Sequence, residues 1–74
     1  MTEHRAEMVA NVWKVVAHEG DSVQAGDTLV ILESMKMEIP VISEVAGKVD
    51  KLPVHEGDVV QEGDLIAEVD SNGA

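Results

Sequence analysis

The chain has no cysteine, which excludes disulfides and thiolate-bound metal. It has no phenylalanine or tyrosine, and its one aromatic residue is Trp13. A core without further rings has to be filled by Val, Ile, Leu, Ala and Met, and the β-branched members of that set favour strands. Basic residues are scarce: five Lys and Arg stand against fifteen Asp and Glu, for a formal net charge of −10. Such a chain repels phosphate backbones and anionic lipid surfaces, so no nucleic-acid or membrane partner is expected. At its plainest the acidic surplus keeps the domain soluble; it also suits basic partner surfaces. No apolar run approaches the roughly 20 residues of a membrane span. Residues 1–7 are polar and acidic, unlike a signal peptide, and a cytoplasmic location is the expectation.

Room is lacking too. Seventy-four residues make one domain with a small interior, too little for a deep pocket built from several elements. The carboxylates form no isolated pair in an apolar setting, as acid–base catalysis would need. No Ser has an identifiable base beside it. An enzyme in its own right is therefore not expected.

What the chain does have is repetition. A shift of 37 positions lays 8–33 over 45–70, with Val12 on Val49, Lys14 on Lys51 and His18 on His55. The block His-Glu-Gly-Asp-x-Val-Gln-x-Gly-Asp occurs twice, from His18 and from His55. A repeat of this kind governs the reading of everything else. Within each copy, 9–17 and 47–54 are Val-rich and read as strands. Each is closed by Glu-Gly-Asp, where Gly accepts positive φ and Asp bonds to nearby backbone. A single apolar anchor follows (Val23, Val60), then a second Gly-Asp turn, then short strands at 28–33 and 65–69. No window carries helical spacing. Short strands with regular turns imply an all-β barrel or sandwich with an internal two-fold repeat.

Comparing the copies sorts faces. Trp13 falls on Asp50 and Lys14 on Lys51, so two adjacent positions are polar in copy two, which breaks alternation and predicts a bulge. Trp13 is thus expected to be at least partly exposed. Val12, Val15 and Ala17, matched to Val49, Leu52 and Val54, should point inward. His18 and His55 occupy equivalent places, but symmetry alone does not bring them together, and each is expected to be exposed at a strand end. His4 lies in the N-terminal segment and carries no signal.

The copies join at Glu33-Ser34-Met35-Lys36-Met37-Glu38-Ile39-Pro40. Apolar strands on both sides, 28–32 and 39–42, require a chain reversal, most simply a tight hairpin with Met35-Lys36 at its tip. Such a turn favours Asn-Gly or Asp-Gly, because both central residues need positive φ. The repeat places Asn72-Gly73, that favoured pair, on Met35-Lys36. A local rule broken at one turn marks a functional position. Two flexible, polarizable methionines beside an exposed lysine suit a partner surface; they also suit a plain turn whose Met residues belong to the core. From the residues alone both readings stand.

Glu-x-Met-Lys-Met-Glu at the midpoint of a doubled β chain resembles the attachment motif of the biotin/lipoyl attachment family, in its biotin carboxyl carrier branch. The resemblance covers roughly residues 8–70. It implies a flattened barrel of two four-stranded antiparallel sheets, with the cofactor lysine on one hairpin and the termini at the opposite end. It further implies that Lys36 carries covalent biotin and that Met35, Met37, Glu33, Ser34 and Glu38 serve motif and partner recognition. The implied partners are a biotin protein ligase, which makes biotinyl-adenylate for the lysine amine to attack, then a biotin carboxylase and a carboxyltransferase. The chemistry would lie in the cofactor and those enzymes. Ser34 departs from the family's usual Ala, and Ala10 stands where Gly is common. The protruding loop and long linker of some larger carriers are missing, so a small standalone carrier is expected. The layout expected is a loose N-terminal tail at 1–7 and an attachment domain at 8–70, its repeat units 8–33 and 45–70 joined by a cofactor hairpin at 34–44. A C-terminal tail follows at 71–74. The alternatives are a lipoyl carrier, less expected because lipoyl turns typically carry Asp-Lys-Ala, and an unmodified acidic β module that binds a partner.

Overall fold

The computed structural model describes residues 1–71. Eight strands follow in order: β1 (Thr2–Arg5), β2 (Ala10–Val15), β3 (Ser22–Val23), β4 (Thr28–Ser34), β5 (Met37–Ile42), β6 (Gly47–Lys51), β7 (Val59–Val60) and β8 (Leu65–Asp70). They form two four-stranded sheets, β1-β8-β6-β3 and β5-β4-β2-β7, and every pairing is antiparallel. The 37-residue shift carries β1, β2, β3 and β4 onto β5, β6, β7 and β8, and therefore one sheet onto the other. This is the all-β, two-sheet architecture that the repeat and the resemblance implied.

The N-terminal segment is the main correction. Residues 2–5 are not a loose tail; they form β1, which pairs with β8 from Thr2↔Val69 to Arg5↔Leu65. Each copy thus begins one strand earlier than position 8, and the return strand of the 34–44 segment is itself the first strand of copy two. The sequence hid this because Thr2-Glu3-His4-Arg5 and its counterpart Ile39-Pro40-Val41-Ile42 share no residue. The structural equivalence rests on ladder position alone. The Val23 and Val60 anchors prove to be two-residue strands. Apart from Ser71, the expected C-terminal tail and the Asn72-Gly73 pair lie outside the described residues.

The core is assembled from matched residues. Val12, Val23, Leu29, Val30 and Leu32 of copy one are buried, as are Val49, Val60, Ile66, Ala67 and Val69 of copy two. Burial of these small aliphatics drives the two sheets together. Ala17, Leu52 and Val54 are buried as expected, and Val15 is partly so. The ladder slips between Val12 and Lys14, and again between Val49 and Lys51, which is the bulge anticipated from Trp13 and Asp50. Trp13 is 47% exposed.

The duplicated block has a structural purpose at each position. In all four Gly-Asp turns the Asp N–H donates to the carbonyl three residues back, as Asp21 does to His18. The Asp carboxylate in turn accepts that residue's N–H, at 2.8–2.9 Å. The turn glycines have φ of 90–98°, as the third position of a type II turn requires. The turns then bond across to the other copy. Gly20 N–H donates to Val49 carbonyl and Val49 N–H to Asp21 carbonyl; Gly57, Val12 and Asp58 repeat the pattern. Gly26 and Asp27 bracket Ser43 in the same way, and Gly63 and Asp64 bracket Ala6. At the bulges, where a strand N–H would lose its partner, the Glu19 carboxylate accepts Leu52 N–H at 3.0 Å and Glu56 accepts Val15 N–H at 3.2 Å.

One close approach breaks the symmetry. A Cβ on Gly47 would lie 2.6 Å from the Asp70 carbonyl oxygen, so β6 meets the end of β8 only with glycine there, whereas the equivalent Ala10 is tolerated and buried. Gly47→Ala is expected to cost about 2 kcal/mol through overpacking. Val12→Ala and Val49→Ala should each cost roughly 1–3 kcal/mol through lost burial and a cavity. Urea denaturation midpoints measure all three, and a neutral Val12→Ala or Val49→Ala would contradict the face assignment.

Candidate functional site

The midpoint segment forms the hairpin between β4 and β5. Ser34↔Met37 is the last paired position, so the turn consists of Met35 and Lys36 alone. Their φ angles are 52° and 65°, the two positive values that define a type I′ turn. No other described non-glycine residue has positive φ. A left-handed residue with a Cβ costs roughly 1–2 kcal/mol, so the tip holds strain that Asn-Gly would relieve. The right-handed twist of the flanking strands selects this turn type whatever its residues.

All six residues singled out in the sequence lie on this hairpin. Met35 is 91% exposed and Met37 65%; neither belongs to the core, which removes the plain-turn reading of the methionines. Lys36 is exposed, and its ammonium makes no hydrogen bond or ion pair among the described residues. Ser34 is half-buried at the base of the turn. Glu33 and Glu38 are exposed and directly opposed across the ladder. The arrangement offers one unencumbered amine, held out on a short rigid support. That geometry suits acylation by an external enzyme.

Other titratable groups lie elsewhere. His18 and His55 are exposed, as expected, yet both line one shallow hollow with Glu19 and Glu56; the two-fold does bring the equivalent positions together. Each ring faces its own aspartate, Asp21 at 3.8 Å and Asp58 at 3.7 Å. His4, given no weight in the sequence, is only 7% exposed. Its Nε2 accepts the Glu44 N–H at 3.1 Å, which places the ring proton on Nδ1, and Nδ1 has no partner among the described residues. The sequence signal missed at His4 was alternation within β1, where its two neighbours face outward.

Comparison with known proteins bears on this geometry. The family model described as "Biotin-requiring enzyme" matches residues 4–69. The "Biotinylated protein TB7.3 homolog" of Mycolicibacterium smegmatis is 69% identical over 39 residues, 53% of this chain and 55% of that protein. The chain thus spans about half the length of the curated relatives it matches. The crystal structure of the Kluyveromyces lactis urea carboxylase is similar with a TM-score of 0.85 at 41% identity, covering 92% of this chain and 6% of that one. The solution structure of the lipoyl domain of the 2-oxoglutarate dehydrogenase complex from Azotobacter vinelandii has a TM-score of 0.76 at 24% identity, covering 89% and 82%. This last likeness is one of fold.

The strain at the tip is measurable. Replacing Met35 by Asn and Lys36 by Gly should stabilise the domain by about 1 kcal/mol, since both replacements accept positive φ. Lys36→Arg, which keeps the strain, should leave the urea midpoint unchanged.

Proposed function

Since this chain belongs to the biotin/lipoyl attachment family, we propose that it is a non-catalytic carrier whose Lys36 bears covalently attached biotin. The observation that carries the proposal is the free Lys36 amine at the tip of a strained two-residue turn, flanked by two exposed methionines. The residues present fit the group. The amine has no competing partner among the described residues, and the support beneath it keeps one register from Ser34↔Met37 to Val30↔Val41.

Lys36 acts as the nucleophile in loading. Its amine would attack the acyl carbonyl of biotinyl-adenylate, the amide C–N bond forming as the bond to AMP breaks, with the amine's proton taken up by the biotin protein ligase. The turn contributes position: it fixes the Lys36 backbone while leaving the side chain free to enter a foreign active site. The four-carbon stem lengthens the arm, and the tether keeps its end at high local concentration near any enzyme that docks on the domain. Biotin, once bound, supplies the atom that carries a carboxyl group from a biotin carboxylase to a carboxyltransferase. Met35 and Met37 offer adaptable apolar contact to those enzymes. A lipoyl carrier would use the same fold, but the Met-Lys-Met triplet favours biotin.

Incubation with a biotin protein ligase, ATP and biotin should add one biotin per chain by intact mass. The label should vanish in Lys36→Arg, and peptide mapping should find Lys14, Lys48 and Lys51 bare. A native chain that takes no label, or takes it on another lysine, contradicts the proposal. Intact mass of the protein from its own cells separates biotin from lipoate.

A further inference from the structure

The internal two-fold supplies a control that few proteins offer. Both sheets solve the same folding problem, so a difference between equivalent outward positions is not demanded by the fold. Across the outer face of the sheet that carries the Lys36 hairpin, one row runs Lys14↔Ile31↔Pro40, with Trp13 as the extra bulge residue beside Lys14. The equivalent row of the other sheet runs Lys51↔Glu68↔Glu3, with Asp50 at the bulge. The scaffold therefore accepts Asp, Glu and Glu where the hairpin sheet has Trp, Ile and Pro. Trp13 and Pro40 are exposed and Ile31 half-buried, with the Lys14 ammonium 5.8 Å from the centre of the Trp13 ring, so an apolar stripe that folding does not need lies at the surface with one lysine beside it. An exposed aromatic-centred patch of this kind marks an interaction surface.

Charge points the same way. Glu33 and Glu38 oppose each other between the stripe and Lys36. Like charges directly across a ladder are destabilising. On the other sheet the opposed Glu3 and Glu68 have cations at hand: Arg5 pairs with Glu3 at 2.9 Å, and Lys51 faces Glu68. On the hairpin sheet, the remaining neighbour of Glu33 is Asn11, and neither glutamate has an ion pair among the described residues. The pair is complementary to a cationic partner surface.

We propose that the Trp13–Ile31–Pro40 stripe, together with Glu33 and Glu38, is the surface by which the biotin protein ligase recognises this domain before loading. The proposal rests on the reading of Lys36 as the attachment point. The ligase is the occupant because loading precedes the cofactor and leaves only protein surface to recognise, and the stripe and the opposed Glu33 and Glu38 adjoin the lysine it must reach. From Ser34 at the turn to Ile31 is three residues, about 10 Å along the strand, so an active site that receives Lys36 also covers the stripe. The ligase presents an apolar recess to the Trp13 indole and basic side chains to Glu33 and Glu38. Lys14 lies within the covered surface and Lys48 and Lys51 on the other sheet, so a ligase docked there has Lys36 at its active site.

The test exchanges residues between copies, so each variant places on one sheet what the other already carries. Initial rates of biotin incorporation by a biotin protein ligase are measured against chain concentration. Trp13→Asp should raise KM at least tenfold and leave kcat within twofold, and Ile31→Glu and Pro40→Glu should each raise KM about threefold. The opposite exchanges, Asp50→Trp and Glu68→Ile, should leave KM unchanged. As a readout without turnover, the unloadable Lys36→Arg chain should inhibit loading of the native chain, and adding Trp13→Asp should raise its inhibition constant by the same factor. Trp13→Phe, which keeps the apolar contact, covers the case of a Trp13→Asp chain that fails to fold, and should lose no more than threefold. A folded Trp13→Asp chain loaded with native KM overturns the stripe while leaving the attachment reading intact. A native chain that takes no biotin on Lys36 overturns both.

Discussion

The bonds from Gly20 and Asp21 to Val49, mirrored from Gly57 and Asp58 to Val12, hold the rest of the structure in register. Each copy of the repeat finishes the hydrogen bonding of the other. Buried backbone groups have to be paired, and here the partners lie about half a chain length away. Glu19 and Glu56 extend the exchange to the bulges. A good part of the acidic surplus is therefore structural: Glu19, Asp21, Asp27, Glu56, Asp58 and Asp64 all accept backbone N–H groups. Neither copy has a complete set of partners without the other, so the domain gains its stability as a unit.

The repeat made most of this legible in advance. Copy comparison located the inward Val12 and Val49 and the bulge at Trp13, because each is written in residue types that differ or agree across the 37-residue shift, while the hairpin at Met35-Lys36 followed from the apolar strands on either side of it. It failed at β1. Strand pairing is a backbone interaction that most residues can make, so Thr2–Arg5 and Ile39–Ile42 keep the same ladder positions with unrelated side chains. His4 was missed for the same reason. Its burial follows from β1 lying on β8, and the alternation that marks it shows only once Thr2–Arg5 is known to be a strand. At the hairpin, sequence placed all six residues together, since they are contiguous. The two-residue turn expected at Met35-Lys36 also carries the pairing of Glu33 with Glu38 that the ladder shows.

Symmetry in the scaffold and asymmetry on its surface carry different information. Outside β1 and β5 the buried positions are mostly small aliphatics in both copies, and the Gly-Asp turns recur in each; these are what the fold requires. Exposed positions are free of that requirement, and there the copies diverge: Trp13 against Asp50, Ile31 against Glu68, Pro40 against Glu3. Proline on β5 has a structural role as well. β5 is an edge strand, where a missing N–H blunts unwanted sheet extension. β1, the edge at the equivalent place, carries charge instead, another accepted means to the same end.

The connection of the strands distinguishes the two ends of the barrel. β4 continues directly into its neighbour β5, whereas β8, its equivalent, takes as neighbour β1 from the start of the chain. Among the described residues a two-residue turn joins β4 to β5, whereas β8 meets β1 through the ladder, the same pairing carried over by the repeat. Two halves in one polypeptide share a single seam, and the lysine stands on it. The lysine proposed as the attachment point thus stands where the chain passes from one half of the fold to the other, which sets one end of a symmetric body apart.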